Sequence, residues 1–443
     1  MPSNTQSWVF GANDPELGRG LNHLPFTCFL DEKGKRRIAV GIGACLLDLK
    51  VASPLLPEHL REALSETTLN HFMGLGPAAW RELRNVLQFL LSRANRDRKL
   101  LEAALVPLHD LPLELPATVG DYTDFYASRH HAQRVGELFR PEKPLLENYD
   151  WVPIAYHGRA SSLVPSGTAV RRPAGQRRAN PSPVFAPTEK LDYELELGFY
   201  IGHGNALGKP IPIDAAENHL FGVSLLNDWS ARDVQAWEYQ PLGPFLGKSF
   251  CTSVSPWITP MEALNSLKVR AQQHQNGILP YLQNQHLELV NLSLVVQIST
   301  TRSRRAVLAR MQVSESNSRE LFWTPEQMVA HHTSGGCNLR PGDLLATGTI
   351  SGERREQAGC LLELTSNGDE PITLPNGERR AFLEDGDEII LTGWGQAEGQ
   401  MPIRLGECRG TLVSLSQLPG SNFLLRRSVE AKLHQVFQAV AAA

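Results

Sequence analysis

The sequence predicts a mostly β fold with some α-helix, in a chain of 443 residues that is long enough to bury more than one core. Three observations carry this expectation. Short aliphatic and β-branched runs recur along most of the chain, as in LDYELELGFYIG, HLFGVSLL, LELVNLSLVVQIST, DLLATGT and DEIILTG. They are punctuated by turn formers, 36 glycines and 30 prolines in all, which favours many short strands over a helical bundle. Helical spacing is instead concentrated early, where Leu83, Val86, Leu87, Leu90 and Leu91 recur on one face of RELRNVLQFLLSR.

Taken in order, residues 1–118 form a first unit. FTCFL, RRIAVGIG and ACLLDL suggest short strands, with a turn at Asp31-Glu32-Lys33-Gly34, and helical material lies between Pro57 and Lys99. Pro107, Pro112, Pro116 and Gly120 mark the edge of that unit. Residues 119–418 form a large, mostly β domain, in which Asn376-Gly377 between ITL and RRAFL signals a type I′ hairpin. In residues 419–443, Leu425, Val429, Leu433, Val436 and Val440 mark one face of a terminal helix suited to docking on the protein's own surface.

Composition narrows the function classes. A net charge of -4 provides neither the basic field of a nucleic-acid binder nor a polybasic membrane patch. No apolar run approaches the about 18 residues of a membrane span, and MPSNTQSWVF lacks the pattern of a signal peptide. The six cysteines are scattered without CxxC spacing, which argues against a zinc knuckle or redox dithiol and fits a reduced, cytoplasmic protein.

Four segments concentrate chemistry. In LDYELELGFY, a continuous strand would project Asp192, Glu194 and Glu196 from one face. The plain account is a solvated charged face, but adjacent like charges also suit a hard cation, Ca2+, Mg2+ or Mn2+ rather than zinc. DYTDFYASRHHA gathers Asp121, Asp124, Tyr126, Arg129, His130 and His131, where an N-cap and surface histidines are the plain account. In SLLNDWSARDVQAWEY an apolar strand ends at Asn227-Asp228 and a helix comes next, with Arg232, Gln235 and Tyr239 on one face. Asp228 could cap that helix and Arg232 could simply pair with an acid, yet together they could hold a metal and an oxygen-rich anion. Lys248, alone amid the apolar and glycine residues of PLGPFLGKSF, suits a fixed charge facing a developing anion. Gly243 and Gly247 stand one residue too close for a phosphate-binding loop, GHGNALG misplaces its last glycine for a dinucleotide fingerprint, and no GxSxG elbow occurs.

These segments, with YHGRASS and CNLRPGDLLATGTISG, succeed one another in the order found in the fumarylacetoacetase family, which the chain resembles from about residue 119 to 415. NHLPF, near residue 22, resembles that family's amino-terminal domain. The resemblance implies a small SH3-like barrel (1–118), a β-roll catalytic domain (119–418) and a homodimer. It implies a divalent cation (Ca2+, Mg2+ or Mn2+) on Asp124, Glu194, Glu196 and Asp228, and a second, structural Mg2+ at Lys248, through its backbone carbonyl, and Thr252. It assigns His131, not His130, as the catalytic base, oriented by Glu363, and Arg232, Gln235 and Lys248 as oxyanion stabilisers. Tyr126, Arg140, Gln235, Tyr239 and Thr349 would contact a small diketo acid. The implied reaction is metal-dependent hydrolysis of the carbon–carbon bond of 4-fumarylacetoacetate, ending tyrosine and phenylalanine catabolism. Alternatives are another family activity, acylpyruvate hydrolysis or decarboxylation or hydration of a 2-oxo acid, a non-catalytic metal-binding protein, and a metal-independent cysteine or serine hydrolase.

Overall fold

In a computed structural model, the structure describes residues 6–109, 111–272 and 277–414. The terminal helix expected within 419–443 lies outside these residues. Near the amino terminus, β1 (Phe26–Leu30), β2 (Arg36–Ile42), β3 (Cys45–Asp48), β4 (Leu105–Pro107) and β5 (Leu113–Glu114) form an antiparallel sheet in the order β4-β3-β2-β1-β5. The helical stretch falls between β3 and β4. Its longest member, α1 (Pro77–Leu91), opens with proline at a position where no N–H is needed, and buries Leu83, Leu87 and Leu91 at steps of four. Val86 and Leu90 lie on the shoulders of that stripe, half-buried.

The large domain contains β6 (Tyr122–Phe125), β7 (Ala155–His157), β8 (Leu163–Pro165), β9 (Leu195–Ile201), β10 (Leu220–Asp228), β11 (Thr252–Val254), β12 (Ser293–Ser299), β13 (Met311–Asn317), β14 (Leu344–Ala346), β15 (Glu388–Gly395) and β16 (Ile403–Val413). An eight-stranded mixed sheet runs β7-β6-β14-β9-β10-β11-β8, with Thr259–Pro260 also pairing to β10. A third sheet runs β13-β12-β15-β16 and ends on Val170–Arg171. Helices that pack around these sheets include α2 (Arg129–Phe139), α3 (Arg232–Glu238), α4 (Pro325–Thr333) and α5 (Leu361–Leu364). The expected strands after residue 119 are present, within an architecture that mixes sheets and helices.

The eight-stranded sheet is the middle layer. Its side chains alternate, so one face of β9 offers Leu195, Leu197, Phe199 and Ile201 to the core shared with β12, β15, β16 and α4. The opposite face offers Tyr122, Tyr200, Leu226, Val254 and Leu344 to a core shared with β1, β2 and α1. A backbone bridge, Phe26 N–H to Ile258 O and Ile258 N–H to Phe26 O, both 2.9 Å, ties the amino-terminal sheet to this layer. All six cysteines are unpaired. No helix among the described residues is long and apolar enough to cross a membrane.

Two local expectations change. The solvated-face account of LDYELELGFY fails, because every residue of 191–200 is buried and the strand breaks between Asp192 and Leu195. The Asn376-Gly377 hairpin forms, with Thr373 opposite Arg379, but only Gly377 is left-handed (φ 81°). A type I′ turn requires positive φ at both central residues, and Pro375 starts a right-handed turn closed by Gly377 N–H to Leu374 O at 2.8 Å.

One non-glycine residue sits where glycine is preferred. After the short helix Thr301–Arg305, Leu308 N–H bonds Ser303 O (2.9 Å) and Val307 N–H bonds Arg304 O (3.1 Å), a Schellman ending that forces Val307 to φ 53°. Val307 is 90% exposed, so its β-branched side chain contributes strain without packing. Val307→Gly should raise stability by about 1 kcal/mol, read as a higher urea midpoint. An unchanged or lowered midpoint would show that the turn carries no such strain.

Candidate active site

The sheet delivers the acids by register. Asp124 on β6, Glu196 on β9 and Asp228 on β10 lie in phase with Tyr122, Tyr200 and Leu226, on the face that the amino-terminal unit covers further along. Glu194, in the break before β9, completes the group: Asp124, Glu194, Glu196 and Asp228 each offer an oxygen within 4.8 Å of the others. All four are buried. Directly opposite Asp124 on β7 is Tyr156, whose hydroxyl lies 2.8 Å from Asp124 Oδ2 and 2.6 Å from Asp228 Oδ2. Directly opposite Asp228 on β11 is Thr252, which donates to Asp228 Oδ1 at 2.8 Å.

Two cations face these acids. Lys248 contacts Glu194 Oε2 and lies 2.8 Å from Asp228 Oδ2. Arg232 donates through Nη1 to Glu194 Oε1 at 2.6 Å and through Nε to Asp192 Oδ2 at 2.9 Å. Asp192 therefore stands outside the four-acid group. It pairs with Arg232 and accepts the Leu361 and Leu362 N–H groups at the start of α5, at 2.8 and 2.9 Å. Asp228 does not cap α3, which begins four residues later at Arg232 after the short strand Ser230–Ala231. Gln235, one turn on, lies 3.4 Å from Arg232 Nη1.

Burial, reinforced by Asp228 and Glu194, raises the Asp124 carboxyl well above its ordinary range, and burial with Asp124 and Glu194 does the same to Glu196. Burial also opposes the charge of Glu194, but Lys248 and Arg232 outweigh it and hold that carboxyl well below its ordinary value. Five buried carboxylates (Asp124, Asp192, Glu194, Glu196, Asp228) thus face two buried cations (Arg232, Lys248). Asp124 Oδ1 and Glu196 Oε1 are buried without a hydrogen-bond partner. Orphaned hard oxygens, on clustered acids that have too few cations beside them to ionise together, are the features a divalent cation satisfies, so the residues present fit one.

Beside this group sits a second buried constellation. His131 is on the first turn of α2, whose N-cap Ser128 accepts its backbone N–H at 3.5 Å. Its Nδ1 is 2.6 Å from Glu363 Oε1, leaving Nε2 for proton exchange. Glu363, on α5, also accepts from Ser351 Oγ at 2.7 Å and Arg134 Nη1 at 3.0 Å. Burial would raise its carboxyl, but His131, Ser351 and Arg134 hold it at about 2. His130, the neighbouring histidine, faces away, 3.8 Å from Glu320.

The remaining candidates line the surroundings. The Tyr126 ring meets His131 edge-on at 5.2 Å, and burial, then Glu363, raises its phenol. Arg140 ends α2 and donates to Pro144 O at 3.2 Å, with its Nε buried and unpartnered. Thr349 is buried with an unpartnered hydroxyl, three residues past β14. Just before it, Gly348 (φ 72°) donates to Glu196 Oε2 at 3.1 Å, where a Cβ would come within 2.1 Å of Phe125 O. Tyr239, just past α3, is 40% exposed and the outermost of the set. Sequence reasoning gave no role to Tyr156, Ser351 or Arg134. Arg134 could have been found from its spacing, three residues after His131 on one helical face, whereas Tyr156 and Ser351 depend on strand pairing and loop path.

Residues 121–413 match the family described as fumarylacetoacetate (FAA) hydrolase C-terminal, and residues 22–116 match fumarylacetoacetase N-terminal. Curated relatives include the fumarylacetoacetases of Bos taurus and Homo sapiens, each 46% identical over 406 residues, covering 89% of this chain and 96% of theirs. That of Arabidopsis thaliana is 43% identical over 408 residues, covering 89% of this chain and 95% of its own. Among solved structures, a fumarylacetoacetate hydrolase from psychrophilic Exiguobacterium antarcticum shares the fold with a TM-score of 0.51 at 17% identity, covering 88% of this chain and 99% of that one. With both halves matched in order and relatives aligned along most of its length, the chain belongs to the fumarylacetoacetase family.

Proposed function

We propose that this chain hydrolyses the carbon–carbon bond of 4-fumarylacetoacetate to fumarate and acetoacetate, the closing step of tyrosine and phenylalanine catabolism. The observation that carries the proposal is the four-acid group beside the buried His131–Glu363 pair, in a chain of this family. A divalent cation (Ca2+, Mg2+ or Mn2+) held by Asp124, Glu194, Glu196 and Asp228 would supply Lewis acidity toward the paired oxygens of a 1,3-diketone when bound.

The chain's own residues account for the rest. His131, with Nδ1 fixed by Glu363, takes a proton from water through Nε2 as that water attacks the ketone carbonyl of the fumaryl group, which becomes the new carboxylate of fumarate. Arg232, Gln235 and Lys248 stabilise the oxyanion that forms, each donor worth about 3 kcal/mol in a water-excluded site. The carbon–carbon bond then breaks, its electron pair leaves on acetoacetate as an enolate, and a proton returns to the carbanion carbon. Tyr126, Arg140 and Tyr239 hold the substrate's terminal carboxylates and set its length, and Gln235 and Thr349 also contact the substrate.

Architecture and assembly are part of the proposal. Residues 1–118 and 119–418 are two units, the first an SH3-like barrel built on β1–β5 and the second the family's β-roll. Lys248, through its backbone carbonyl, and Thr252 would hold a structural Mg2+. The enzyme is a cytoplasmic homodimer. Supporting the dimer, Phe185, Leu242 and Phe245 are 70%, 96% and 68% exposed, on segments joined by Trp237 Nε1 to Gln176 Oε1 at 3.4 Å.

Purified protein should remove the ultraviolet absorbance of fumarylacetoacetate, lose that activity on chelation and regain it on metal return. Folded, metal-loaded protein that leaves fumarylacetoacetate intact would overturn the proposal and redirect it to acylpyruvates. His131→Ala should lower kcat by at least about a thousandfold while substrate and metal still bind. Near-normal turnover would remove the histidine from the mechanism. Asp228→Ala should weaken metal binding by at least about tenfold in calorimetric titration, and an unchanged affinity would place the cation elsewhere.

A further inference from the structure

Arg134 lies on α2 three residues after His131, on the same helical face. Its two guanidinium arms do different things. Nη1 donates to Glu363 Oε2 at 3.0 Å. Nη2 lies within hydrogen-bond distance of three backbone carbonyls beyond β14, those of Gly352 (2.6 Å), Glu353 (2.5 Å) and Arg354 (2.9 Å). The other carboxylate oxygen, Oε1, is occupied by His131 Nδ1 (2.6 Å) and Ser351 Oγ (2.7 Å), with Cys360 Sγ at 3.3 Å. The Glu363 side chain is fully buried, so rotation of its carboxylate would strand both oxygens.

We propose that Arg134 is a positioning residue for this reaction: it pins Oε2 of Glu363 and balances that carboxylate's charge, so that Oε1 stays directed at Nδ1 of His131. The physical need is specific. A buried carboxylate beside a neutral imidazole carries an unbalanced charge until the imidazole gains a proton, which in the proposed mechanism happens only when water attacks. Arg134 supplies the opposite charge beforehand, and the loop carbonyls fix where that charge stands. A guanidinium can serve both sides at once because its donors form a rigid planar fork, which a lysine ammonium lacks.

The inference rests on His131 being the base, and the experiment separates the two ideas. Arg134→Gln, Arg134→Lys and His131→Ala would be compared in the full-length, metal-loaded enzyme for kcat, KM, metal affinity and thermal midpoint. Arg134→Gln should lower kcat by about 10- to 100-fold with KM and metal affinity nearly unchanged. Arg134→Lys, which keeps charge near Oε2 but gives up the loop carbonyls, should recover most of that kcat despite a lowered midpoint. If the two variants lose kcat equally and in step with their midpoints, Arg134 is only a loop tether and the proposal fails. Full activity in Arg134→Gln would also overturn it. An active His131→Ala would instead remove the base itself, a failure visible independently of either arginine variant.

Discussion

Charge buried in a sheet is the constraint on which the rest of this structure depends. Asp124, Asp192, Glu194, Glu196 and Asp228 are withdrawn from water, a state tolerable only where cations, N–H groups and hydroxyls replace the lost solvation. Each compensating group is placed by a different element. Arg232 comes from α3, Lys248 from the loop after it, Thr252 from β11, Tyr156 from β7, and the Leu361 and Leu362 N–H groups from α5. Holding these charges therefore fixes the relative positions of much of the large domain.

The middle sheet meets this demand by dividing one face between two tasks. Toward β1, β2 and α1 it presents Tyr200, Leu226 and Leu344, which bury apolar area; toward the site the same alternation presents Glu196, Asp228 and Asp124. A register slip of one residue would exchange acids for core aliphatics on both faces, so the packing that stabilises the fold also specifies the site. The backbone bridge between Phe26 and Ile258 anchors the amino-terminal unit against this layer.

The His131–Glu363 pair repeats the logic on a smaller scale. One carboxylate must stay ionised, buried and oriented, and three donors from α2 and the segment after β14 surround it. Placing His131 and Arg134 on one helix makes their separation a property of helical geometry rather than of loop conformation. The helix itself is held at its start by Ser128, which also exchanges hydrogen bonds with Ser351. Orientation of the imidazole and orientation of its carboxylate thus share a single support.

By itself, the sequence determined the properties that depend on local spacing. Strand runs, the stripe of Leu83, Leu87 and Leu91 and the hairpin near Gly377 were legible because side chains at fixed offsets share a face and glycine tolerates positive φ, whereas Asp124, Asp228, His131 and Glu363 were singled out by the family resemblance. The ordered motifs also carried the family. Tertiary structure decided what depends on long-range pairing. It separated Asp192 from the four acids by breaking the strand, moved the start of α3 from Asp228 to Arg232, and turned His130 toward Glu320. It also brought Tyr156 opposite Asp124 and folded the Gly352–Arg354 backbone around Arg134. The reason is that these contacts join residues far apart in the chain, whose partners are chosen by sheet order, register and the cost of buried charge, none of which a local pattern encodes.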